Sequence, residues 1–384
     1  MSAKHLALCV CSIAWLACSA QAAETNLVRN GNFADGTAGW SDTGVNDDKE
    51  VTVVDVQGKK ALLLKRKKEG VAVNAVQYNL KFKPQTLYKL SVTGWGKAAA
   101  AVSLRPKNEK DDQFFELCKS WATSTAPLDI SGTPVTNVLL LDSGLKSDSA
   151  FLNVRLGDGG PGEYYVSSVS LTEIASTKPE EKEIVIAHLG DSITITSYLP
   201  FGKRVDGLLN NMCEIAFPGK RIRNVNLGVD GEFIKGLLDS GRYDRAIKAQ
   251  YSKFDVVIIR YGANDRKQYS LDEFHKLLGV LCDKLQQDYP GVTIVMGTGP
   301  YIHKSDSANK TEYGPFWQAA RDFAKERKYA LVDIYARFEK EASEATAVKP
   351  GDAHPSELGV KLVADEEFKI LQPILKEKLK QTQP

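Results

Sequence analysis

The chain has 384 residues, of which 43% are hydrophobic and 26% are charged. This balance excludes a disordered or fibrous protein, and the length is sufficient for two domains. The formal net charge is only +2, with 50 Lys and Arg residues against 48 Asp and Glu residues. The sequence therefore lacks the excess of positive charge that is typical of nucleic-acid-binding proteins, and we expect no nucleic-acid partner.

Residues 1–23 have the pattern of a secretory signal peptide. Lys4 precedes the apolar run LALCVCSIAWLA, and small residues follow near Ala20 and Ala22. A charged start, a short apolar centre and small residues before the cleavage site are the three parts of such a leader. We expect cleavage close to Ala22 or Ala23, and a secreted or periplasmic protein.

A lipid-modified Cys18 is a less favoured alternative, because Trp15 fits poorly three residues before it. Cleavage of the leader leaves Cys118, Cys213 and Cys282. Three cysteines in a large chain do not predict a disulfide framework, although one bridge stays open. No later segment has eighteen uninterrupted apolar residues, so we predict no membrane span.

Residues 24–175 consist of short β-rich segments separated by Gly, Asn, Asp and Pro, and this spacing predicts a β-sandwich. The predicted strands are VTVVDV, KALLLK, LYKLSVTGW, NVLLLD, FLNVRLG and YYVSSVSLTEI. Residues 176–183, with the sequence STKPEEKE, are polar and charged and contain a proline. That composition is typical of a linker between domains.

In residues 184–384, predicted strands alternate with helices. The strands are EIVIAHL, IRNVNL, FDVVIIRY, VTIVMGT and YALVDIY, and the clearest helix is LDEFHKLLGVLCDKLQQ. That helix places Leu271, Phe274, Leu277, Leu278, Leu281 and Leu285 on one face. The pattern predicts a mostly parallel sheet covered by helices on both faces, with functional groups at the carboxyl ends of the strands.

Ser192 follows the first of these strands directly, in the sequence Gly190-Asp191-Ser192. A serine hydroxyl becomes a useful nucleophile when a base activates it, and the N–H groups of a following helix can stabilise negative charge. The alternative is that Ser192 serves only as a helix N-cap.

Two further loops are predicted at the same edge of the sheet. Gly231 lies in NLGVDGEF after the second strand, and Asn264 lies in GAND after the third. A backbone N–H and a side-chain amide are suitable donors for an oxyanion hole. A glycine turn and an ordinary loop asparagine are the alternatives.

His354 is the best candidate for a general base among five histidines. His5 lies in the predicted leader, while His188 in the first strand and His275 on the long helix favour structural or surface roles. His303, in TGPYIHK, follows the fourth strand and is a candidate for the substrate pocket. His354 lies between the last strand and the last predicted helix, so it can reach the edge that carries the serine.

The segments GDSI, NLGVDG, GAND and DAHP, in this order, resemble the four sequence blocks of the SGNH (GDSL-type) hydrolase superfamily. The resemblance covers about residues 183–384 and implies a flavodoxin-like three-layer α/β/α fold. It implies that Ser192 is the nucleophile and His354 the base. It also implies an oxyanion hole made of the Ser192 and Gly231 N–H groups and the Asn264 side chain, with no metal or organic cofactor.

The last block departs from the family pattern, which has its aspartate three residues before the histidine. Gly351 occupies that position, and Asp352 lies only two residues before His354. We predict that Asp352 orients the imidazole. A backbone carbonyl, another carboxylate or a bare Ser-His pair is the alternative.

Three bulky or charged residues near these blocks are candidates for substrate binding. Tyr198 follows the nucleophile, and Arg260 and Tyr261 precede GAND. Packing is the alternative for each, and Arg260 has the further alternative of an ion pair with Asp265.

The segments NLVRNGNFADGTAGWS, YKLSVTGWGKA and EYYVSSVSLTEI resemble the carbohydrate-binding modules of the galactose-binding, jelly-roll type. Aromatic rings stack on sugars, and the candidates are Trp40, Trp95, Trp121, Tyr164 and Tyr165. The resemblance favours core positions for Trp40 and Trp95, so Trp121 is the preferred sugar-binding candidate. A spacer or protein-contact domain is the alternative.

Together, the two resemblances imply a secreted serine carbohydrate esterase that removes O-acetyl or other small acyl groups from a polysaccharide or oligosaccharide. A lipid or thioester hydrolase of the same fold is one alternative. A glycan-binding protein with a degenerate triad is the other.

Overall fold

The computed structural model describes residues 26–84, 86–106, 125–142, 149–157, 159–176, 183–199, 201–300, 313–340, 347–348 and 353–381. The expected leader and most of the expected linker lie outside the described residues. So do five residues discussed above, which are Cys118, Trp121, His303, Gly351 and Asp352.

The first region is built from β-strands. They are β1 Gly44–Val45, β2 Lys49–Val56, β3 Lys59–Arg66, β4 Asn74–Lys81, β5 Thr86–Gly96, β6 Ala100–Pro106, β7 Thr125–Pro127, β8 Val135–Asp142, β9 Ser149–Leu156 and β10 Gly162–Ser176. Two antiparallel sheets result, with the orders β1-β2-β3-β10-β5-β8 and β4-β9-β6-β7. One hydrophobic core contains Leu62 and Leu90 from the first sheet and Val102 and Leu152 from the second. The predicted β-sandwich is confirmed.

Strands β4 and β6 were not predicted from the sequence. β4, NAVQYNLK, has a polar interior, and its pairing with β9 is interrupted between Gln77 and Leu80. β6, AAVSLRP, begins with two alanines and ends with a proline. Both compositions are poor in the β-branched and aromatic residues that usually indicate strands.

The expectation for Trp95 was wrong, whereas Trp40 is buried as expected. Trp95 is partly exposed and stacks on Tyr165, with ring centroids 5.4 Å apart and planes 10° apart. Side chains alternate between the two faces of a strand, and the buried Gly94 takes the inward position. The buried Tyr164 ring fills the space there, because a Cβ on Gly94 would lie 2.5 Å from its Cε1 atom.

The second region alternates strands and helices. Its strands are β11 Ile184–Gly190, β12 Ile222–Asn226, β13 Val256–Arg260, β14 Thr293–Gly297 and β15 Ala330–Val332. Its helices are α1 Ser192–Ile195, α2 Val205–Ala216, α3 Ile234–Asp239, α4 Leu271–Asp288, α5 Tyr313–Arg327, α6 Ile334–Lys340 and α7 Glu357–Gln381, with short helical turns at Phe201–Lys203, Tyr243–Lys248 and Asp265–Lys267. The sheet is parallel throughout, with the order β12-β11-β13-β14-β15.

This sheet separates two hydrophobic cores. Leu189 and Ile259 pack with α3, α4 and α5 on one face, while Ile186 and Ile258 pack with α2, α6 and α7 on the other. All residues of β11 are buried, as expected for a strand covered on both sides. The predicted flavodoxin-like three-layer fold is confirmed.

Helix α4 has the predicted inward face except at its first residue. Leu271 is exposed, because it lies in the first turn directly after the N-cap Ser270. Cys282, on the same helix, and Cys213 on α2 are free and buried. Burial raises the pKa of Cys213 to about 11 and that of Cys282 to about 12, so both thiols stay protonated at neutral pH.

The strand order reverses at β11, whose neighbours β12 and β13 both follow it in the chain. In open parallel sheets, ligands bind beyond the carboxyl ends of the strands at such a switch point. Gly190 ends β11 there, and no larger residue fits. A Cβ on Gly190 would collide with the Thr194 hydroxyl and with the Arg260 carbonyl oxygen.

We predict that Gly190→Ala destabilises the protein, because the Arg260 carbonyl belongs to the backbone and cannot move aside. Overpacking of this kind costs about 1–3 kcal/mol. Urea unfolding followed by circular dichroism measures the change. Gly202→Ala is the matched control, since no atom lies within 4 Å of the Cβ it would add. An equal change in both variants would contradict the packing argument.

Candidate active site

The turn after β11 presents Ser192 at the start of α1. Asp191 is the N-cap of this helix, and its carboxylate accepts the Ile193 N–H at 2.9 Å. The helix ends after one turn at Thr196, which has a left-handed backbone with φ 45°. Because Asp191 caps the helix, the alternative in which Ser192 is only an N-cap does not apply.

The Ser192 hydroxyl contacts His354. Its Oγ atom lies 2.8 Å from the Nε2 atom of His354, although 162 residues separate the two. Both side chains are half-buried, and His354 lies three residues before the start of α7. In a neutral imidazole, Nε2 accepts the hydroxyl proton, and this is the geometry of a serine activated by a histidine base.

Tyr198 holds the histidine segment in place. Its hydroxyl donates to the Pro355 carbonyl at 2.6 Å. Its ring lies edge-on to the imidazole of His354, with centroids 5.6 Å apart and planes 75° apart. The bulky residue predicted on the approach to the nucleophile therefore contacts the histidine itself.

The loops that carry Gly231 and Asn264 meet beside the serine. The Asn264 amide donates to the Glu232 carbonyl at 3.2 Å and lies 3.5 Å from the Asp191 carboxylate. Gly231 has φ +77°, a conformation that glycine adopts without strain. The Asn264 amide is thus held next to Asp191, the residue that precedes Ser192, and it is bonded to the residue that follows Gly231.

Glu232, which has no distinctive sequence motif, holds the Gly231 and Asn264 loops together. Its carboxylate accepts the Tyr261 hydroxyl at 2.7 Å and lies 3.3 Å from Arg242 Nη1. Burial raises the pKa of Glu232, and the charge of Arg242 opposes that rise. Tyr261 is buried, so the structure gives it a bracing contact instead of the suggested substrate contact.

Arg260 is also buried and does not face the predicted substrate site. It is only 1% exposed, its Nε donates to the Thr298 carbonyl at 3.2 Å, and its guanidinium pairs with Glu367. The alternative partner, Asp265, instead accepts the N–H groups of Gly262 and Ile234 at 2.9 and 3.0 Å. Both suggestions for Arg260 are therefore corrected, because a buried guanidinium needs the nearest available carboxylate.

Glu367 also contacts His188, and we name Glu367, Arg260, His188 and Asn224 the Glu367 cluster. His188 Nδ1 lies 3.3 Å from Glu367 Oε2, and its Nε2 lies 3.1 Å from Asn224 Oδ1. Asn224 is oriented by Asn210, whose Oδ1 accepts its amide N–H at 3.0 Å. Both imidazole nitrogens therefore face acceptors, which favours the doubly protonated ring.

Contacts within the cluster shift the pKa values of two fully buried groups, Glu367 and His188. Burial alone would raise the pKa of Glu367, but the charges of Arg260 and His188 outweigh it and lower that pKa to about 2. Burial alone would lower the pKa of His188, but Glu367 outweighs it and raises that pKa. Glu367 is therefore ionised at neutral pH, and the raised pKa of His188 favours the protonated imidazole.

The four members belong to the four elements that lead into the site. Asn224 lies on β12, His188 on β11, Arg260 on β13 and Glu367 on α7. These elements adjoin the segments of Gly231, Ser192, Asn264 and His354, respectively. Of these four residues, the sequence pointed only to Arg260 and His188. Glu367 lies in a helix rich in charged residues, so nothing in its sequence context indicates that it is buried.

Within the described ranges, no group of three or more His, Cys, Asp or Glu side chains is arranged to hold a metal ion. No helix in the same part of the chain is long and apolar enough to cross a membrane.

A parallel α/β sheet with a hydrogen-bonded serine and histidine at its carboxyl edge is an arrangement found in serine hydrolases. Residues 188–362 match the GDSL-like Lipase/Acylhydrolase family, and residues 25–148 match the Carbohydrate binding domain family. The chain therefore contains a domain of the GDSL-like lipase/acylhydrolase family preceded by a carbohydrate-binding domain.

Solved structures similar to the chain include three hydrolases. One is an alpha/beta hydrolase from the metagenome of Lake Arreo, with 20% identity, 50% of this chain and 97% of that chain covered, and a TM-score of 0.42. A lipolytic G-D-S-L protein from Veillonella parvula is 18% identical, with 49% of this chain and 98% of that chain covered and a TM-score of 0.41. The acetylxylan esterase Axe2 from Geobacillus stearothermophilus is 21% identical, with 50% of this chain and 95% of that chain covered and a TM-score of 0.42. No curated protein matches the chain.

We predict that Glu367→Gln lowers the free energy of unfolding by about 3–5 kcal/mol at neutral pH, because it leaves two buried cations without a counter-charge. The lowered pKa of Glu367 stabilises the wild type above pH 4.5, and this contribution is lost as the pH falls towards about 2. The raised pKa of His188 adds a contribution that is lost as the pH rises through it. The difference in free energy of unfolding between the wild type and Glu367→Gln should therefore become smaller at acidic pH and, in part, at alkaline pH.

Urea unfolding across a pH series measures that difference. Glu377→Gln, which removes an exposed glutamate of the same helix, is the control and should change stability by less than about 1 kcal/mol. A difference between wild type and Glu367→Gln that stays constant with pH would rule out the ionised cluster.

Proposed function

We propose that the protein is a secreted serine carbohydrate esterase that removes O-acetyl or another small acyl group from a polysaccharide. The 2.8 Å contact between Ser192 Oγ and His354 Nε2, beside the Gly231 and Asn264 loops, carries the catalytic part of this proposal. The carbohydrate-binding domain supports the polysaccharide part. Secretion rests on the leader-like composition of residues 1–23.

The reaction proceeds through an acyl-enzyme. Ser192 Oγ attacks the ester carbonyl while His354 Nε2 takes the hydroxyl proton, giving a tetrahedral intermediate. His354 then returns the proton to the departing sugar hydroxyl as the bond between the carbonyl carbon and the sugar oxygen breaks. Water repeats the cycle on the acyl-serine, releasing the acid and restoring the hydroxyl. The steps use only groups of this chain and water.

The Ser192 N–H, the Gly231 N–H and the Asn264 amide stabilise the oxyanion. Asn264 has two N–H donors, and the 3.2 Å bond to the Glu232 carbonyl anchors one of them. The second faces Asp191 at 3.5 Å, which is long for a hydrogen bond, so a developing oxyanion competes well for it. Burial raises the pKa of Asp191 to about 7, which weakens its hold on that N–H further.

Asp352 is proposed as the group that accepts the Nδ1–H of His354, although it is one residue closer to the histidine than in the family pattern. An aspartate in this role fixes the tautomer that leaves Nε2 free to accept the serine proton. The alternative is that the site works as a Ser-His pair.

We predict that the wild-type protein releases acetate from at least one acetylated polysaccharide and that Ser192→Ala releases none, because the nucleophile is lost. Acetate is measured enzymatically over a panel of acetylated xylan, pectin, mannan and alginate, next to 4-nitrophenyl esters of increasing acyl length. Ser252→Ala, at an exposed serine, is the matched control and should keep full activity.

Asp352→Asn in the same assay should lower kcat by about 10⁴-fold if the triad is complete, and by far less for a Ser-His pair.

Other outcomes separate the alternatives. Full activity in folded Ser192→Ala would exclude this mechanism. Hydrolysis of long-chain esters alone would favour a lipid hydrolase, and inactivity over the whole panel would favour a glycan-binding protein.

We predict that Tyr198→Phe lowers kcat by about two- to tenfold with little change in KM, because one hydrogen bond that positions the histidine segment is removed while the ring is kept. Steady-state kinetics with 4-nitrophenyl acetate measure both constants. Tyr329→Phe, which changes a tyrosine hydroxyl outside the site, is the control. A raised KM with unchanged kcat would instead identify Tyr198 as a substrate-binding residue.

A further inference from the structure

The β-sandwich contains a cavity of about 290 Å³. Residues 70–73, in the turn between β3 and β4, form one wall, and Leu156 and Gly159 at the end of β9 form another. Arg66, Asn74 and Arg155 contribute the polar part of the lining. None of these residues has a part in the esterase site.

Arg66 fixes the shape of the cavity. Its guanidinium donates to the carbonyls of Val71 at 2.8 Å, Gly157 at 2.6 Å and Gly159 at 3.0 Å, and the residue is only 5% exposed. No carboxylate of the described residues pairs with it. A buried positive charge that is bonded only to carbonyl dipoles leaves a positive potential in the cavity.

Arg155 adds a second positive charge at the same place. It lies on β9 opposite Asn74 of β4. Its Nε atom is buried and donates to no acceptor, and no ion pair joins it to a carboxylate in the described part of the chain. Buried donors of this kind almost always have a partner, so the unfilled position calls for an acceptor that the described residues do not supply.

Polar groups continue from the cavity along one face of the four-stranded sheet. Alternation along β9 puts Asn153 on the same face as Arg155, and Ser103 of β6 lies opposite Asn153. Asn153 Nδ2 donates to Asn74 Oδ1 at 3.2 Å. Asn153 Oδ1 and Ser103 Oγ are buried and have no hydrogen-bond partner among the described residues.

An aromatic pair lies farther along the same face. Tyr78 and Phe151 have ring centroids 5.9 Å apart, and Tyr78 is 46% exposed. Such rings pack on the apolar faces of sugars. The face therefore has a cationic end and an aromatic end, and the polar atoms of Asn153 and Ser103 are buried between them.

We propose that this surface binds an acidic polysaccharide, with Arg155 contacting the carboxylate of a uronic acid residue in the cavity. A guanidinium donates two parallel N–H bonds to a carboxylate, and Arg66 supplies additional positive potential without moving. A neutral glycan leaves both charges uncompensated. The inference rests on the proposed function and narrows its substrate to acylated polysaccharides that contain uronic acids.

The test measures binding of two polyuronates, polygalacturonate and alginate, by isothermal titration calorimetry to the full chain carrying Ser192→Ala. We expect binding that weakens as salt is added, and little binding of carboxyl-reduced polygalacturonate. Arg155→Gln should raise Kd about tenfold or more, because a charge-assisted hydrogen bond is lost. Arg155→Lys should recover part of the affinity, since it keeps the charge but not the planar fork.

Lys89→Gln removes an exposed charge from the other sheet and is the matched control. Thermal unfolding verifies that each variant is folded, and Arg66 is left intact because it holds the cavity wall. Any of three results would overturn the inference. The carboxyl-reduced polymer could bind as tightly as polygalacturonate, Arg155→Gln could have the same Kd as the Ser192→Ala parent, or neither polyuronate could bind.

Hydrolysis of 4-nitrophenyl acetate separates this result from the proposed function. Arg155→Gln in the active protein should leave that reaction unchanged. Hydrolysis that depends on Ser192 without any role for Arg155 in binding would refute only the acidic-glycan site. Arg155-dependent binding by a protein that hydrolyses no ester would refute only the esterase.

Discussion

The buried carboxylate of Glu367 is the constraint on which the arrangement of the site depends. It lies on α7 and contacts Arg260 of β13 and His188 of β11, and His188 reaches Asn224 of β12. Each of these elements adjoins one segment of the site, so one ionised cluster fixes their relative positions. Ion pairs in a protein interior gain little net stability over apolar packing, but they are demanding about geometry. That demand suits a site whose paired serine and histidine are 162 residues apart in sequence.

A second set of contacts fixes the oxyanion side. The Glu232 carbonyl accepts the Asn264 amide, and the Glu232 carboxylate accepts the Tyr261 hydroxyl and faces Arg242. Glu232 directly follows Gly231, so the same residue positions both candidate donors. Oxyanion stabilisation depends on donors that are already oriented before charge develops. These contacts provide that orientation from within the fold.

The sequence was informative where chemistry follows directly from position in a strand-helix unit. Ser192, Gly231 and Asn264 follow predicted strands, and parallel strands bring their carboxyl ends to one edge. The roles of Arg260 and Tyr261 were not predictable, because a residue at a strand end points either into the site or away from it. Pairing with the distant Glu367 decides the direction of Arg260, and the bond to Glu232 decides that of Tyr261. Trp95 was misjudged for a related reason, since its facing depends on the space that Gly94 leaves for Tyr164.

Two buried carboxyl groups near β11 show how the fold divides charge around the site. Glu367 lies between two cations and has a pKa of about 2, whereas Asp191 is buried beside Ser192 and has a pKa raised to about 7. Glu367 is therefore ionised throughout the neutral range, while Asp191, next to Ser192, is only partly ionised. A full negative charge at Asp191 would repel an oxyanion forming next to it and compete for the Asn264 amide. Burial reduces that opposition by raising the pKa of Asp191, although the charge of Arg260 acts in the other direction. The ion pairs of the Glu367 cluster join the elements that adjoin Ser192 and His354.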